Sequence, residues 1–270
     1  MLYRCPHCLT TKQIRRRIAG IGGKLIYAMK VSLFVTCLVD QFFPDVGVSV
    51  VRILRRYGCD VLFPTGQTCC GQPAFNCGYV NAARDAARNY YRSFADADYI
   101  VSPSGSCTGM VRHYYRELFA DDPDMLAKVL AMADRSYEFS QFMVNVLGVE
   151  DVGATFPHRV TYHPSCHSVR LLGIEEEPMR LLRAVRDIEL VELPKAQDCC
   201  GFGGAFSVKL SDISGAMVTE KNEHIKETGA QYVVSTDMGC LMNINGNLRR
   251  RGSNIKTMHI AELLYHASAK

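Results

Sequence analysis

After Met29, short apolar runs alternate along the chain with longer segments in which apolar residues recur at helical spacing. The run "VSLFVTC" ends at Cys37, and the segment after it has helical spacing, with apolar residues at Val48, Val51, Ile53 and Leu54. Repeated strand–helix–strand order predicts an α/β fold, in which parallel sheets are connected by crossover helices.

The whole pattern occurs twice. The second copy opens with "HRVTYHPSC", which ends at Cys166, and the extended pieces that follow end at Pro64 and Pro194. Each copy continues with a Cys-Cys-Gly motif, a helical segment, a strand that ends at a lone cysteine, and a similar tail, "RSYEFSQFMVNVLG" or "KTMHIAELLYHAS". This predicts two tandem pseudo-symmetric halves, 29–150 and 151–270.

Eight cysteines occupy matching places in the two halves. We call Cys37, Cys69, Cys70 and Cys107 the first cysteine set, and Cys166, Cys199, Cys200 and Cys240 the second cysteine set. Because sites in parallel sheets form at the carboxyl ends of the strands, each set is expected to converge on a metal cofactor. Four thiolates suit a [4Fe–4S] cluster, so we predict one cluster per half. Structural zinc is the competing metal, although zinc sites usually use closely spaced ligand pairs.

Other residues beside the cysteines are candidates for supporting roles. Gly71 and Gly201 permit a tight, left-handed turn that brings backbone amides close to cluster sulfides. His163 and His167 flank Cys166, where they are expected to donate hydrogen bonds to cluster sulfur or to move protons as the cluster changes charge; the alternative is that they are satisfied structural histidines. No nucleotide-binding loop is predicted from "GFGG", since it lacks the strand–GxGxxG–helix context.

The remaining cysteines lie outside the repeat. Cys59 is predicted to pack as a small buried hydrophobe, and packing is favoured over ligation for Cys77, whose counterpart in the second half is Val208. Cys5 and Cys8 have a spacing that suits a metal, but no second pair lies nearby.

Composition limits the classes of function. The chain has 270 residues, of which 48% are hydrophobic, and no apolar run approaches the length of a membrane span. Residues 1–28 hold six basic residues and no acidic one, which leaves 25 basic and 27 acidic residues in the rest and gives no support to a nucleic-acid partner. We interpret 1–28 as a leader or tail, or as a misassigned start ahead of Met29. Twelve cysteines without a secretory signal pattern predict a cytoplasmic, reducing location.

The motifs "TCCGQP", "PSGSC", "YHPSCH" and "DCCGFGGAFSVK" resemble the cysteine-rich domain with a CCG motif that occurs in heterodisulfide reductase. The resemblance is strongest to the two-repeat lactate-utilisation protein A family, the iron–sulfur subunit of an L-lactate dehydrogenase complex, over 29–270. It implies electron transfer during oxidation of L-lactate to pyruvate, with a ferredoxin-type iron–sulfur protein and a third small subunit as partners. It assigns no catalytic residue.

The chain departs from the family pattern, which ends each repeat in CxxC. The first position of that pair falls at Ser104 in one half and at Asp237 in the other. Asp237 is therefore either an oxygen ligand of the metal or the cap of a turn, and we favour the cap. Two alternative functions stay open: a thiol–disulfide reductase like heterodisulfide reductase, against which the missing cysteines argue, and a zinc-stabilised scaffold.

Overall fold

The computed structural model describes residues 29–268, and the predicted leader 1–28, with Cys5 and Cys8, lies outside the described residues. The strands of the first half are β1 (Met29–Leu33), β2 (Cys59–Leu62), β3 (Tyr99–Ser102) and β4 (Ser136–Glu138). Those of the second half are β5 (Arg159–Tyr162), β6 (Glu189–Val191), β7 (Tyr232–Ser235) and β8 (Lys256–His259).

Helices occupy most of the chain between the strands. Those of the first half are α1 (Cys37–Phe42), α2 (Pro44–Arg56), α3 (Gln72–Asn76), α4 (Val80–Phe94), α5 (Gly105–Gly109), α6 (Tyr115–Leu118), α7 (Pro123–Ala133) and α8 (Phe139–Gln141). Those of the second half are α9 (Cys166–Arg170), α10 (Glu176–Arg183), α11 (Ala205–Lys209), α12 (Ser211–Glu227), α13 (Met238–Arg250) and α14 (Ile260–His266). Single π-helical turns follow α5 and α8 at Met110–Tyr114 and Phe142–Val146.

The two halves contain the same sheet. Strand order is β2-β1-β3-β4 in one half and β6-β5-β7-β8 in the other, and every pairing between these strands is parallel. The central strands are buried, as shown by Val31 and Val160, each of which is 0% exposed. The predicted α/β fold with parallel sheets and connecting helices is confirmed.

Local sequence explains where the helices begin and which face they bury. Pro44 starts α2, where its fixed φ suits the first helical position and no backbone amide is lost. Val46, Val50 and Ile53 then recur at helical spacing and are buried against the sheet. In α4 the buried stripe includes Ala83, whose small side chain keeps this helix close to its neighbours.

The halves pack tightly against each other. One hydrophobic core runs through both of them, and α14 of the second half lies on α2 of the first. Across this contact Arg52 Nη1 donates to the hydroxyl of Tyr265 at 2.7 Å, and Arg56 Nη1 donates to Ser268 Oγ at 2.6 Å. The relative position of the two sheet edges is therefore fixed by packing between residues far apart in the sequence.

The similar tails of the two halves form the fourth strands of the sheets. The first tail contains β4 and α8, and the second contains β8 and α14. In each, a buried residue caps the helix: Glu138 Oε2 accepts from the amides of Ser140 and Gln141, and His259 Nδ1 accepts from the amide of Ala261. The sequence repeat was recognised at these tails, but no strand was predicted there.

Among residues 29–268, no helix has both the length and the apolar character needed to cross a membrane.

Candidate metal centre

All eight repeat cysteines face one cavity. Each set takes its first cysteine from the helix after the central strand, its adjacent pair from the loop before a short helix, and its last from the helix after the third strand. The cavity measures about 250 Å³ and is lined by residues of both halves. We predicted that each set would converge within its own half, whereas the structure also brings the two sets together. Every cysteine within 29–268 is a free thiol.

The glycine after each cysteine pair adopts the predicted left-handed conformation. Gly71 has φ +85°, and its amide donates to Cys69 Sγ at 3.4 Å. Gly201 has φ +77°, and its amide donates to Cys199 Sγ at 3.3 Å. A Cβ at Gly201 would lie 2.8 Å from Ser214 O, so the position admits no larger residue without a shift. The turn thus presents a backbone donor to sulfur.

One thiol in each set is acidified by its neighbours. Hydrogen bonds from Cys37 and then from Cys70 lower the pKa of Cys69. Hydrogen bonding to Cys69 is the largest cause that raises the pKa of Cys37, and burial adds to it. In the second set, contacts with Cys166 and the adjacent cysteine lower the pKa of Cys199 in the same way. Each set therefore releases its first proton readily and supplies a thiolate, which is the form that binds metal.

The backbone before the first cysteine differs between the sets. Thr36 has φ +71°, which is strained for a β-branched residue and costs about 1–3 kcal/mol. Ser165, the matching residue before Cys166, has an ordinary φ of −63°. The strained position lies directly beside Cys37 and lines the cavity.

Asp237 and Ser104 join the halves at the cavity wall. Asp237 Oδ2 accepts from the amide of Ser106 at 2.8 Å and from Ser104 Oγ at 3.2 Å, both across the interface. Its Oδ1 accepts from the amide of Gly239 at 3.0 Å and so caps α13, as favoured from the sequence. Ser104 Oγ in turn accepts from the amide of Cys107 at 3.2 Å. Both carboxylate oxygens are engaged, and metal ligation by Asp237 stays a prediction.

His167 bridges the two cysteine sets. Its Nδ1 lies 3.5 Å from Cys166 Sγ, and its Nε2 lies 3.1 Å from Gln72 Nε2 of the first half. Because the glutamine amide nitrogen is a donor, Nε2 of this ring accepts and Nδ1 carries the proton that is directed at the sulfur. His167 thus contacts the sulfur of Cys166, whereas the predicted hydrogen bond to cluster sulfur stays a prediction.

His163 is buried without a hydrogen-bond partner on its ring. Its side chain is 1% exposed, and neither ring nitrogen has a partner. The ligand atoms of His163, Cys200 and Cys240 lie within 4.8 Å of one another. Burial, and then the positive charge of Lys221, lower the pKa of His163 to about 3, so the imidazole is neutral. His163 is therefore not the satisfied structural histidine of the alternative expectation, and its hydrogen bond to cluster sulfur stays a prediction.

Lys221 is a cation beside the second set that the sequence analysis missed. It is 1% exposed, and its ammonium donates to the carbonyls of Lys195 at 2.7 Å and Ala196 at 3.1 Å. Burial lowers its pKa, while the nearby cysteines act in the opposite direction. A lysine on the buried stripe between Val218 and Ile225 was the available sequence signal, since such positions are normally apolar.

Cys59 and Cys77 remain outside the two sets. Cys59 is 0% exposed within β2, where burial raises its pKa to about 12, as fits the predicted packing role. Cys77 ends α3 and is half-buried beside a neighbouring cavity that Cys199 also lines. Val208, its predicted counterpart, is 80% exposed and therefore does not pack.

The donors fit a soft metal ion or an iron–sulfur cluster. Two sets of four free thiols face one cavity, backbone amides donate to sulfur, and one neutral imidazole has unused nitrogens. Sulfur and imidazole are the ligands that iron–sulfur clusters and zinc prefer.

Comparison with known proteins identifies the family. A family model described as a cysteine-rich domain matches residues 31–112 and, a second time, residues 160–245. "Lactate utilization protein A" of Geobacillus thermodenitrificans is 55% identical over 238 residues, which cover 88% of this chain and 99% of that protein. "Lactate utilization protein A" of Bacillus subtilis is 56% identical over 236 residues, which cover 87% and 99%. This chain belongs to the lactate utilization protein A family.

A solved structure shares the fold of this family member. A hypothetical protein from Helicobacter pylori superposes with a TM-score of 0.64 at 11% identity. The match covers 90% of this chain and 49% of that chain, so this chain spans about half of its length. At this identity the likeness concerns the fold alone. The resemblance noted from the sequence motifs is thus confirmed at the level of family and fold.

Proposed function

We propose that this chain is an iron–sulfur electron-transfer subunit of a cytoplasmic oxidoreductase complex that oxidises L-lactate to pyruvate. The observation that carries the proposal is the convergence of two four-thiol sets on one cavity. Lactate is proposed as the substrate because the similar proteins are named for lactate utilization. The family resemblance implies a ferredoxin-type iron–sulfur protein and a third small subunit as partners.

The first cysteine set would hold one [4Fe–4S] cluster and the second set another, with four thiolate ligands each. Such clusters carry single electrons, whereas oxidation of a hydroxy acid to a keto acid releases two. Two sets at one cavity suit a route for both electrons through one subunit.

Residues around the cavity hold the sulfurs in place. The amides of Gly71 and Gly201 donate to the first sulfur of each pair. The carbonyl of the second cysteine of each pair accepts from a side chain, Tyr115 Oη at 2.9 Å for Cys70 and Asn243 Nδ2 at 2.8 Å for Cys200. These contacts fix the adjacent cysteines before any metal binds, which lowers the ordering entropy lost on binding.

The proposal is tested by lactate-dependent reduction of the anaerobically purified chain. With the two partner proteins present, L-lactate should bleach the visible absorption of the clusters. The chain alone should be reduced by dithionite but not by L-lactate, since the proposed subunit lacks the site that oxidises lactate. Direct reduction by L-lactate would contradict the subunit role, and zinc without labile sulfide would contradict the cofactor.

Cysteine variants assign the ligands to the two halves. Cys69→Ser and Cys199→Ser should each remove about half of the bound iron, because each breaks one four-thiol set. Cys77→Ser is the matched control, since this half-buried thiol lies near the site but outside both sets. Loss of iron in the control equal to that in the Cys69 variant would contradict the assignment.

The shared cavity also favours the alternative of a thiol–disulfide reductase, because a substrate would contact both sets there. This alternative predicts that a small disulfide is turned over with a reduced viologen as electron donor. Disulfide turnover that is lost in Cys107→Ser would favour the reductase over the electron-transfer subunit.

A further inference from the structure

His163 has a matched position in the first half, which shows what the fold requires there. Phe34 precedes Cys37 by the same interval, and its amide donates to Val101 O at 2.9 Å. The amide of His163 donates to Val234 O at 2.8 Å. Val101 pairs with Leu33, the last residue of β1, and Val234 pairs with Tyr162, the last residue of β5, so the register is the same in both halves. The two side chains therefore start from equivalent backbone sites.

An apolar ring satisfies this position in the first half. Phe34 packs edge to face on Tyr90 at a centroid distance of 5.0 Å and on Phe94 at 5.6 Å. Packing alone thus gives no reason for an imidazole at 163. Leaving a buried polar group without a partner costs about 1–3 kcal/mol, so an unpaired ring in this core is a defect unless something else binds it.

Two cysteine sulfur atoms, which are metal-binding groups, lie close to this ring. Cys200 and Cys240, both buried, have sulfur atoms within 4.8 Å of a His163 nitrogen and of each other. Metal–sulfur bonds of about 2.3 Å and metal–nitrogen bonds of about 2.0 Å are compatible with donors at this separation. Among the described residues, His163 is thus a nitrogen donor placed beside two members of the second cysteine set.

We propose that the imidazole of His163 is a metal ligand, so that the second half binds its metal centre with four cysteines and one histidine while the first half uses four cysteines alone. This inference rests on the proposed function only in taking that metal to be iron. Ser104 and Asp237 stand where the family pattern has a fifth cysteine, and the second half regains a fifth donor from a different strand end. The two centres are therefore chemically different.

Labelled histidine tests the ligand directly. The full chain, labelled with ¹⁵N-histidine and reconstituted anaerobically with iron and sulfide, should show by pulsed EPR a strong nitrogen hyperfine coupling that changes with the label. A weak coupling only, as from an N–H that is hydrogen-bonded to sulfur, or no histidine coupling at all, would overturn the assignment. This measurement uses the unaltered sequence, so it does not depend on how a variant folds.

Two substitutions locate the coupled residue. His163→Phe restores the residue type of the matched position and should abolish the strong coupling, whereas His167→Phe should keep it. His163→Gln serves the same purpose if the phenylalanine variant does not fold. Survival of the coupling without His163, or its loss in His167→Phe alone, would assign the ligand elsewhere.

A second metal separates this inference from the iron–sulfur proposal. If the chain takes up no iron and sulfide, the proposed cofactor is wrong, but ¹¹³Cd bound to the labelled protein still reports on the ligand. A scalar coupling between ¹¹³Cd and ¹⁵N-histidine that disappears in His163→Phe would support the assignment. Absence of that coupling would overturn it, whether or not cadmium binds.

Discussion

Behind the first cysteine set, Phe34 packs on Tyr90, whereas the second half has His163 and Lys221 in these places. Tyr90 and Lys221 occupy equivalent positions on α4 and α12. In each half the glycine after the cysteine pair lies against a helix carbonyl, Ala83 O for Gly71 and Ser214 O for Gly201. Tyr90 and Lys221 each lie seven residues after that carbonyl. One backbone therefore supports an apolar wall in one half and a polar, cationic wall in the other.

Because of this difference, we expect the two halves of a duplicated fold to hold metal centres with unequal properties. The potential of an iron–sulfur cluster depends on net charge and on hydrogen bonds to its sulfurs. Lys221 places a positive charge beside the second set, while Tyr90 is a neutral group beside the first. We therefore expect the second centre to have the higher reduction potential and to be the one that is reduced first.

Gly201→Ala should cause the largest loss of stability among these substitutions. The added Cβ meets Ser214 O at 2.8 Å in a left-handed turn, and we expect a loss of about 3 kcal/mol in the free energy of unfolding. For Gly71→Ala the closest contact is 3.0 Å, to Ala86 Cβ, and the expected loss is about 2 kcal/mol. Urea titration of the anaerobic protein measures both.

Gly246→Ala is the control for these variants. Gly246 lies within α13 with open space around its Cβ position, so alanine there should stabilise by about 0.5–1 kcal/mol. Equal destabilisation at all three glycines would contradict the role assigned to the two turns.

The matched caps Glu138 and His259 should give opposite pH dependence. Burial raises the pKa of Glu138 from 4.5 to about 7, so the folded state retains a proton that the unfolded state loses, and stability falls as pH rises from about 4.5 to 7. Burial lowers the pKa of His259 from 6.5 to about 4, so stability falls as pH drops from about 6.5 to 4. Each effect is on the order of 3 kcal/mol.

Glutamine substitutions isolate these two slopes. Glu138→Gln should reduce the loss of stability between pH 4.5 and pH 7 and leave the loss of stability at acid pH unchanged. His259→Gln should reduce the loss of stability at acid pH and leave the loss toward neutral pH unchanged. Denaturant unfolding measured from pH 4 to pH 8 gives both slopes. Two variants with the same slopes as the wild type would show that these groups do not titrate as stated.

Asp237→Asn should weaken the contact between the halves more than Ser104→Ala. The carboxylate accepts three hydrogen bonds, two of them across the interface, and its loss should cost about 1–3 kcal/mol. The hydroxyl of Ser104 makes one contact across the interface, to Asp237, and its loss should cost about 1 kcal/mol. Asp122→Asn, a cap within one half, should cost less than Asp237→Asn. The reverse order in urea unfolding would contradict the bridging role.

Lys221→Met should produce the smallest effect in free energy. Removal of the buried cation should lower the potential of the second centre by tens of mV and leave the first unchanged, where 59 mV corresponds to about 1.4 kcal/mol for one electron. Tyr90→Phe is the matched change in the first half and leaves the local charge unaltered. EPR-monitored redox titration measures both potentials. A shift in the first centre alone would contradict the comparison.

Sequence was sufficient for the features that depend on local pattern. Paired intervals such as Cys37 to Cys69 and Cys166 to Cys199 exposed the duplication, and strand–helix alternation indicated the parallel sheets, which the structure confirms. The left-handed turn at Gly201 followed from the residue type alone.

Features that depend on distant packing were not predicted. The shared cavity depends on packing between the halves, such as that of α14 on α2 and of α9 on α5, and Asp237 contacts Ser106 across the same interface. Lys221 and the unpaired ring of His163 are properties of burial, which periodicity indicates for apolar residues but not for polar ones.

The decisive measurement is the count of iron, acid-labile sulfide and zinc in the anaerobically purified chain. Two four-thiol sets predict about eight iron and eight sulfide per chain, with two EPR-active centres that interact magnetically because they share one cavity. Stoichiometric zinc with no labile sulfide, or a single cluster that survives both Cys69→Ser and Cys199→Ser, would contradict the account.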